Sequence, residues 1–373
     1  MIELLTANTP NGKKISIMLE EIDFKYKVTK INIEKNEQFK DSTLMTGGIP
    51  SKAFVHASKV AANVVEANKV GLNARLAAVD LGRINDYVDG VVAQVPKDKP
   101  EDIQHLGGRV IFGMPKFIDK HTVLVNEVRI ESKHFVIATG STPHIPHIHG
   151  LEDVGYLTCK TLFQQIRLPK KVVVLGSDEH GLEMAQALYR LGSAVQIVQS
   201  RAQILTGYDA EIVTQLQRHI EGTGIEIFTS TAILDIYVQN KKKIVLCESA
   251  LNGQFTLDAT EILIAHGGVP NIHDLNLRAI GVACTMEGIQ VNKRLKTTQS
   301  NIYALGDVIQ GPRHSVQTAE YQANVVLSNL AFRVPIKTYD YLIPEVIYVE
   351  PELAQTGLTE HQAKIAGYKS VKV

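Results

Sequence analysis

The sequence has few cysteines, no excess of either charge and no long apolar run. Its three cysteines lie far apart, and its 13 histidines show no paired spacing with cysteines or carboxylates, so no metal site is expected. The 39 lysines and arginines balance the 39 aspartates and glutamates, which disfavours nucleic acid or an anionic membrane as a partner. No apolar stretch approaches the roughly 20 residues that span a bilayer, and the first residues lack the basic segment of a signal peptide. We therefore expect a cytoplasmic protein.

Two of the cysteines lie in apolar surroundings. Cys247 ends the apolar run 245–247, and Cys284 follows the small and apolar residues 281–283. A small buried hydrophobic residue is the favoured interpretation of each, and a reactive thiol is the alternative.

Apolar periodicity along the 373 residues predicts an α/β fold of two or three domains. The clearest pattern is a βαβ unit, with a buried strand over 171–176, a helix over 181–191 and a second strand over 194–199. Further elements are predicted over 50–64 and 79–95 (helices) and over 107–143 (short alternating strands).

The first forty residues have a pattern of their own. Residues 2–6 and 26–33 are predicted strands, and Thr9 with Pro10 marks the start of a helix between them. This segment resembles the N-terminal βαβ of glutathione transferases, which implies a thioredoxin-like arrangement. The later elements of that family have no counterpart after Lys40, so transferase activity is not expected.

Four short stretches are more specific. They are 43–52 (TLMTGGIPSK), 138–140 (ATG), 176–181 (GSDEHG) and 297–307 (TTQSNIYALGD). In this order, with GSDEHG between a predicted strand and a predicted helix, they resemble the flavoprotein disulfide reductases, in the branch of mercuric reductase and dihydrolipoamide dehydrogenase. The resemblance covers residues 41–373.

This resemblance implies FAD as a cofactor. Asp307 would hydrogen-bond the ribityl chain of FAD, and Gly306 would let the backbone approach the cofactor. Ala138, Thr139 and Gly140 would mark the strand exit where the chain crosses from the FAD domain to the nucleotide domain. All five are predicted cofactor-binding residues.

The resemblance also implies a catalytic pair. Lys52 stands where the family's lysine approaches the flavin N5, and Glu183 stands where its carboxylate partner lies. The alternative is coincidence, because lysine and glutamate are common helix residues. The two redox cysteines of the family fall at Thr43 and Gly48, so disulfide reduction is not expected.

The stretch 176–181 occupies the place of a dinucleotide-binding loop. Gly176 and Gly181 serve as its first and third glycines, and Gly267 ends the strand that closes the same block; all three are predicted cofactor-binding residues. The second glycine is replaced by Asp178. Repulsion of two unit charges about 4 Å apart is on the order of 4 kcal/mol at an effective dielectric constant of about 20, so binding of NADPH or NADH should weaken more than tenfold. The alternative is a Rossmann-like domain that has lost tight nucleotide binding.

Residues 199–201 lie where this family distinguishes NADH from NADPH. They read Gln199-Ser200-Arg201, with no acid for the NAD ribose, which favours NADPH with Arg201 at its phosphate. A solvated loop cation is the equal alternative.

The resemblance implies five segments, which are a glutathione-transferase-like βαβ (1–40), the first part of an FAD domain (41–149), a NAD(P) domain (150–271), the return part of the FAD domain (272–340) and the start of a dimerisation domain (341–373). A homodimer with an incomplete interface domain is expected.

Two further departures from the family concern the chain termini. The family's glycine loop for the FAD pyrophosphate has no counterpart before Thr43, although Glu34 follows the second strand where an acid would bond the adenosine ribose. We expect the first segment to complete the sheet without binding FAD tightly. The chain also ends at Val373, before the His and Glu that the family supplies from the partner subunit.

Two functional hypotheses follow. The first is an FAD-dependent NAD(P)H oxidoreductase that passes electrons to oxygen or a quinone-like small molecule. The second is a truncated or fused scaffold with the same fold and no catalytic activity, favoured by Asp178 and by the residues at positions 43 and 48.

Overall fold

The computed structural model describes residues 3–6, 27–32, 48–94, 104–105, 107–311 and 315–369. The helix predicted after Thr9 lies outside these residues, as do Glu34 and Thr43. Within the described ranges no helix is long and apolar enough to cross a membrane.

The strands are short and form sheets of two to four members. They are β1 (Glu3–Thr6), β2 (Lys27–Asn32), β3 (Arg109–Phe112), β4 (Pro115–Asp119), β5 (Thr122–Val125), β6 (Val128–Glu131), β7 (Phe135–Ile137), β8 (Ser141–Pro143), β9 (Lys171–Leu175), β10 (Ala194–Val198), β11 (Glu226–Phe228), β12 (Thr231–Gln239), β13 (Lys242–Ser249), β14 (Gly253–Ala259), β15 (Glu261–Ile264), β16 (Gly268–Pro270), β17 (Cys284–Thr285), β18 (Gly288–Ile289), β19 (Ile302–Ala304), β20 (Glu345–Ile347) and β21 (Leu353–Gln355).

The α-helices are α1 (Gly48–Glu66), α2 (Leu81–Gln94), α3 (Leu151–Val154), α4 (Cys159–Leu162), α5 (Glu179–Leu191), α6 (Ala210–Thr223), α7 (Val316–Ala331) and α8 (Glu360–Ile365). Short 3-10 turns cover Ala67–Val70, His273–Leu275, Arg278–Ile280, Gly306–Val308 and Asp340–Leu342. The mixed α/β fold agrees with the sequence prediction, and α1 and α2 confirm the two helices expected after Pro50 and over 79–95.

The chain forms two compact units. The first contains residues 1–44, 96–142 and 268–345, and the second contains residues 45–95, 143–267 and 346–373. The assignment of segments to FAD, nucleotide and interface domains stays a prediction.

Parallel strands form the centre of the first unit. Strand β2 lies between β1 and β3, β1 lies beside β7, and β7 pairs in parallel with β19. Strands β1, β2 and β3 form one three-stranded sheet, and β7 and β19 form a second sheet. That the first segment completes the sheet of an FAD domain stays a prediction. A three-stranded meander of β4, β5 and β6 packs against the same core, where Phe117 meets Phe135 edge to face at 5.2 Å between ring centroids.

The pairing of β7 with β19 sets the position of the residues that follow each strand. Ile137 lies opposite Ala304, and the backbone N–H of Leu305 donates to the carbonyl of Ile137 at 3.1 Å. Because parallel strands end at the same sheet edge, residues 138–140 and 305–307 lie side by side.

The second unit contains a four-stranded parallel sheet in the order β11, β10, β9, β15. Helix α5 connects β9 to β10, which confirms the predicted βαβ unit. Successive side chains of β9 point to opposite faces, so Val172 and Val174 pack into the core that α5 shares, whereas Val173 and Leu175 pack toward the antiparallel sheet of β12, β13 and β14. Burial on both faces explains the uninterrupted apolar run of this strand.

Candidate functional site

The clearest polar cluster of the second unit joins α1 to α5, which pack against each other. Lys52 lies in the first turns of α1, and its Nζ lies 2.6 Å from Oε1 and 2.7 Å from Oε2 of Glu183 on α5. The Glu183 side chain is only 2% exposed, whereas that of Lys52 is 35% exposed. A buried carboxylate therefore holds a partly exposed ammonium group in one position.

Tyr348 completes this cluster in two ways. Its backbone N–H donates to Glu183 Oε1 at 2.9 Å, and its ring faces Lys52 Nζ at 4.1 Å from the ring centroid. The carboxylate thus accepts hydrogen bonds from two partners, and the ammonium has a cation–π contact besides its ion pair. Sequence reasoning missed Tyr348, because its contacts use a backbone amide and a ring face and residue type alone does not show either.

The chain after Tyr348 is fixed to the next turn of α5. The buried Gln186 donates from Nε2 to the carbonyl of Glu350 at 2.9 Å and accepts from its backbone N–H at 2.7 Å. Hydrogen bonding by Lys59 is the main cause that lowers the pKa of the Glu350 carboxyl, with a smaller contribution from Arg190. The segment carrying Tyr348 is therefore held at several points, which positions its ring against Lys52.

Both retained glycines of the loop 176–181 are required by close packing on Ala265. Gly176 has φ +92°, and a Cβ there would lie 2.2 Å from the Ala265 carbonyl oxygen. A Cβ at Gly181 would lie 2.1 Å from the Ala265 Cβ. Only glycine fits either position without movement of the neighbouring backbone or methyl group.

Asp178 caps the N-terminus of α5. Its Oδ1 accepts from the backbone N–H of Gly181 at 2.5 Å, and its Oδ2 accepts from the backbone N–H of Gly267 at 2.7 Å. A carboxylate is favoured here because the unpaired N–H groups and the helix dipole carry partial positive charge. The same donors would face a dinucleotide phosphate. The loop therefore fits a pyrophosphate at its two glycines but is filled by a side chain at position 178.

Gln199, which stands where the family contacts the nucleotide ribose, forms its hydrogen bonds within the protein. Gln199 is 9% exposed, and its Nε2 donates to the Ser177 hydroxyl at 2.6 Å. The backbone N–H of Arg201 donates to Gln199 Oε1 at 3.2 Å, and its guanidinium donates to Thr206 Oγ1 at 2.7 Å on an exposed surface. Arg201 stays open to both interpretations, because an exposed guanidinium can serve a phosphate or solvent.

In the first unit, the two FAD-associated stretches meet at one sheet edge. The buried Thr139 donates from its hydroxyl to the Asn271 carbonyl at 2.8 Å, and the Asn271 side-chain amide donates to the Thr139 carbonyl at 3.0 Å. Gly140, with φ +68°, accepts from the Asn271 backbone N–H at 2.9 Å. Ala138 is buried in the core beside them. These bonds fix the strand exit that the sequence predicts.

Gly306 and Asp307 follow β19 at the same edge. Gly306 has φ +72°, and its N–H donates to the buried Gln322 Oε1 at 2.8 Å. Asp307 is half-buried, and its Oδ2 accepts from the Ser141 hydroxyl at 3.2 Å. An ionised carboxylate has about four acceptor positions, so Asp307 can also accept from ribityl hydroxyls. These residues fit the FAD role that the resemblance implies.

The three cysteines are free thiols; Cys247 is buried, and Cys159 and Cys284 are half-buried. Burial raises the pKa of Cys159 to about 12, with smaller contributions from the carboxylates of Asp178 and Glu183. Burial raises the pKa of Cys247 to about 11. The thiolate is the reactive form, so both thiols are poor nucleophiles at neutral pH. In the part of the chain that the structure describes, no group of three or more His, Cys, Asp or Glu side chains is placed to hold a metal ion.

The structure brings the predicted residues together as three groups. Lys52 pairs with Glu183, the glycines at 176, 181 and 267 surround Asp178, and residues 138–140 lie beside 306–307. Gly48 is the first residue of α1. Besides Tyr348, sequence reasoning missed Asn271 and Ser141. Asn271 directly follows β16, and Ser141 directly follows the predicted strand exit at Gly140.

Comparison with known proteins identifies the family of the chain. Residues 12–323 match the model of the family described as pyridine nucleotide-disulphide oxidoreductase, and the match begins within the transferase-like segment. The mercuric reductase of Staphylococcus aureus is 32% identical over 325 residues, which are 86% of this chain and 59% of that protein. The dihydrolipoyl dehydrogenase of Thermus scotoductus is 32% identical over 335 residues, 88% of this chain and 71% of that protein.

A solved structure, the HOCl-induced flavoprotein disulfide reductase RclA from Escherichia coli, has a similar fold, with a TM-score of 0.80 and 23% identity over 98% of this chain and 80% of that one. The chain spans between half and three fifths of the length of the mercuric reductases that it matches. Family members of this branch use FAD together with NADH or NADPH. By family model, sequence relatives and fold, the chain belongs to the pyridine nucleotide-disulphide oxidoreductase family.

Proposed function

We propose that the protein is an FAD-dependent NAD(P)H oxidoreductase that delivers electrons to a small-molecule acceptor and not to a disulfide. Family membership supports the two cofactors. The observation that carries the proposal is the ion pair of Lys52 and Glu183, with an Nζ to Oε1 distance of 2.6 Å. This is the part of the family's site that serves the flavin.

Bound FAD would supply the isoalloxazine ring that accepts a hydride. Lys52, as the resemblance implies, would place its ammonium near the flavin N5 and stabilise negative charge on the reduced ring. Glu183 and the Tyr348 backbone keep the ammonium in place. The exposed fraction of the Lys52 side chain, 35%, leaves room for the charge to act outside its own pair.

The acceptor follows from the residues around the lost redox centre. Positions 43 and 48 carry threonine and glycine, so no dithiol can form between them. Cys159 and Cys247 do not replace them, because burial raises the pKa of each thiol to about 12 and about 11. A quinone-like molecule would take two electrons and two protons, from one NAD(P)H and one solvent proton. Oxygen would take the same and leave as hydrogen peroxide.

Anaerobic spectroscopy tests the proposal. The purified chain, supplied with excess FAD and separated quickly from unbound flavin, should retain less than one FAD per chain, with an absorbance near 450 nm that NADPH bleaches and a quinone restores. Bleaching by a chemical reductant but not by NADPH or NADH would contradict hydride transfer. Reduction of a disulfide substrate at a rate comparable to the quinone rate would contradict the proposed acceptor.

A non-catalytic scaffold with this fold is the second candidate. The observation that favours it is Asp178, whose carboxylate occupies the N–H groups of Gly181 and Gly267. Absence of a flavin spectrum after addition of excess FAD would support the scaffold and end the enzymatic proposal.

A homodimer and a cytoplasmic location complete the proposal. The homodimer derives from the resemblance, and the cytoplasmic location derives from the lack of an apolar run long enough to span a bilayer. Light scattering of the purified chain tests the first, and fractionation of the cells that produce it tests the second.

A further inference from the structure

We propose that Asp178 is an internal substitute for the dinucleotide pyrophosphate, and that its carboxylate sets the affinity of the second unit for NADPH and NADH. This inference rests on the proposed function only in naming the nucleotide. It concerns the unit's own phosphate-binding groups, which can be tested without flavin or turnover.

The first argument is occupancy. The two carboxylate oxygens take different N–H groups, Oδ1 that of Gly181 at 2.5 Å and Oδ2 that of Gly267 at 2.7 Å. The Gly181 group lies at the helix N-terminus, where a dinucleotide loop presents donors to phosphate, and the Gly267 group lies in the loop after β15. A phosphate oxygen cannot use either N–H group while Asp178 accepts from it.

The second argument is that the substitution is local. Gly176 and Gly181 still have the close contacts with Ala265 that exclude any side chain, so the loop keeps its dinucleotide-type backbone. Position 178 is different, because its side chain points back onto the helix start and caps it. The loop has therefore kept the glycines needed for packing and replaced the glycine needed for phosphate approach.

The third argument concerns the neighbouring residues. Ser177 accepts from the buried Gln199 at 2.6 Å, and Gln199 in turn accepts from the Arg201 backbone. The hydroxyl of the residue before Asp178 and the side chain of Gln199 are thus paired within the protein. An entering dinucleotide must displace the carboxylate from two N–H groups and then lie beside its negative charge, which predicts weak binding in the wild-type chain.

Nucleotide titration of three variants by calorimetry tests this inference, at one fixed salt concentration. Asp178→Gly removes both the obstruction and the charge, and glycine at an N-cap costs the helix little. Asp178→Asn removes the charge but keeps a side chain over the N–H groups. Glu179→Gln is the matched control, since it removes one charge from the exposed adjacent residue and leaves the loop filled.

We expect Asp178→Gly to bind NADPH more than tenfold tighter than wild type, Asp178→Asn to lie between them, and Glu179→Gln to stay within about twofold of wild type. Equal affinity of wild type and Asp178→Gly would overturn the inference, as would an equal gain in Glu179→Gln or no detectable binding to Asp178→Gly. If Asp178→Gly does not fold, Asp178→Ser, which removes the charge but keeps a neutral N-cap, should show a tightening like that of Asp178→Asn.

The outcome separates this inference from the proposed function. Tighter NADPH binding by Asp178→Gly without any flavin reduction would support the role of Asp178 and contradict the oxidoreductase. Flavin reduction by NADPH, together with equal NADPH affinity in wild type and Asp178→Gly, would support the oxidoreductase and contradict the role of Asp178.

Discussion

The N-cap of helix α5 and the second turn of the same helix differ in how much of the family's motif they keep. At its start, the donors suited to a phosphate are taken by Asp178. Two residues after Gly181, Glu183 keeps the ion pair with Lys52 and the hydrogen bond from Tyr348. The N-terminus expected to meet the nucleotide is thus occupied by Asp178, whereas the pair expected to serve the flavin, Lys52 and Glu183, is formed. Loss of one function need not disturb the other, because each depends on separate contacts of the same helix.

The largest expected loss of stability comes from breaking the ion pair of Lys52 with Glu183. Lys52→Met leaves Glu183, 2% exposed, with the Tyr348 N–H in place of an ammonium partner. Removal of one partner from a buried pair costs about 3–5 kcal/mol, and we expect about 3 kcal/mol because that N–H bond remains. Urea unfolding of the purified variants measures it.

Lys59→Met is the matched control for that experiment. Lys59 pairs with Glu350, but both side chains are close to half exposed, at 45% and 48%, so its removal should change stability by less than about 1 kcal/mol. Equal destabilisation by the two lysine variants would show that the pair of Lys52 and Glu183 is worth no more than a surface contact. The contrast drawn between this pair and the N-cap of α5 would then fail.

The second prediction concerns the closed end of α5. Gly181→Ala places a Cβ 2.1 Å from the Ala265 Cβ, so we expect a loss of about 1–3 kcal/mol from overpacking. Gly90→Ala in α2 is the control, because no atom lies within 4 Å of its added Cβ, and helix propensity predicts a gain of about 0.5–1 kcal/mol. Thermal unfolding measures both.

A second substitution checks the cause of the Gly181 effect. Ala265→Gly removes the methyl group that the new Cβ meets, so it should recover much of the stability lost in Gly181→Ala. A double variant as unstable as the sum of the single variants would mean that Gly181 is required for a different reason.

The sequence predicted much of this site because its signals are local. The buried strand β9, the helix after it and the glycines at 176 and 181 follow from burial and backbone sterics at fixed spacing, and the structure confirms the βαβ unit. The contact of Lys52 with Glu183 joins residues 131 positions apart and was predictable only through the family motif.

The remainder could not be predicted, because it depends on where backbone groups point. Sequence reasoning treated Asp178 as a charge that repels a ligand, but its side chain bonds the N–H groups of its own loop. Tyr348 contributes a backbone N–H and a ring face, and both depend on how Gln186 holds the next residues. These placements arise from tertiary packing and leave no pattern in residue type.

The third prediction separates the two contributions of Tyr348. Tyr348→Leu removes the ring that lies 4.1 Å from Lys52 Nζ, and we expect a loss of about 0.5–1 kcal/mol, since the site is partly exposed. Tyr348→Phe keeps the ring and should stay within about 0.5 kcal/mol of wild type. Both keep the backbone N–H to Glu183. A larger loss in Tyr348→Phe than in Tyr348→Leu would show that the hydroxyl, and not the ring face, matters.

The smallest expected effect is on the alkylation rate of Cys159. This thiol reports on the charges of Asp178 and Glu183. Burial is the main cause that raises the pKa of this thiol to about 12, and the carboxylates of Asp178 and Glu183 add less. Alkylation at pH 8 should therefore be slow in the folded chain and fast in urea. Asp178→Asn should speed it by less than about tenfold, which corresponds to one pKa unit.

The same thiol predicts how stability depends on pH. Above a pH of about 8.5 the unfolded chain loses the Cys159 proton while the folded chain keeps it, so the folded state binds more protons and stability falls as pH rises. Cys159→Ser should flatten this decline between about pH 8.5 and 10. An unchanged slope, or folded-state alkylation as fast as in urea, would show that the Cys159 thiol is accessible to solvent and does not report on the carboxylates of Asp178 and Glu183.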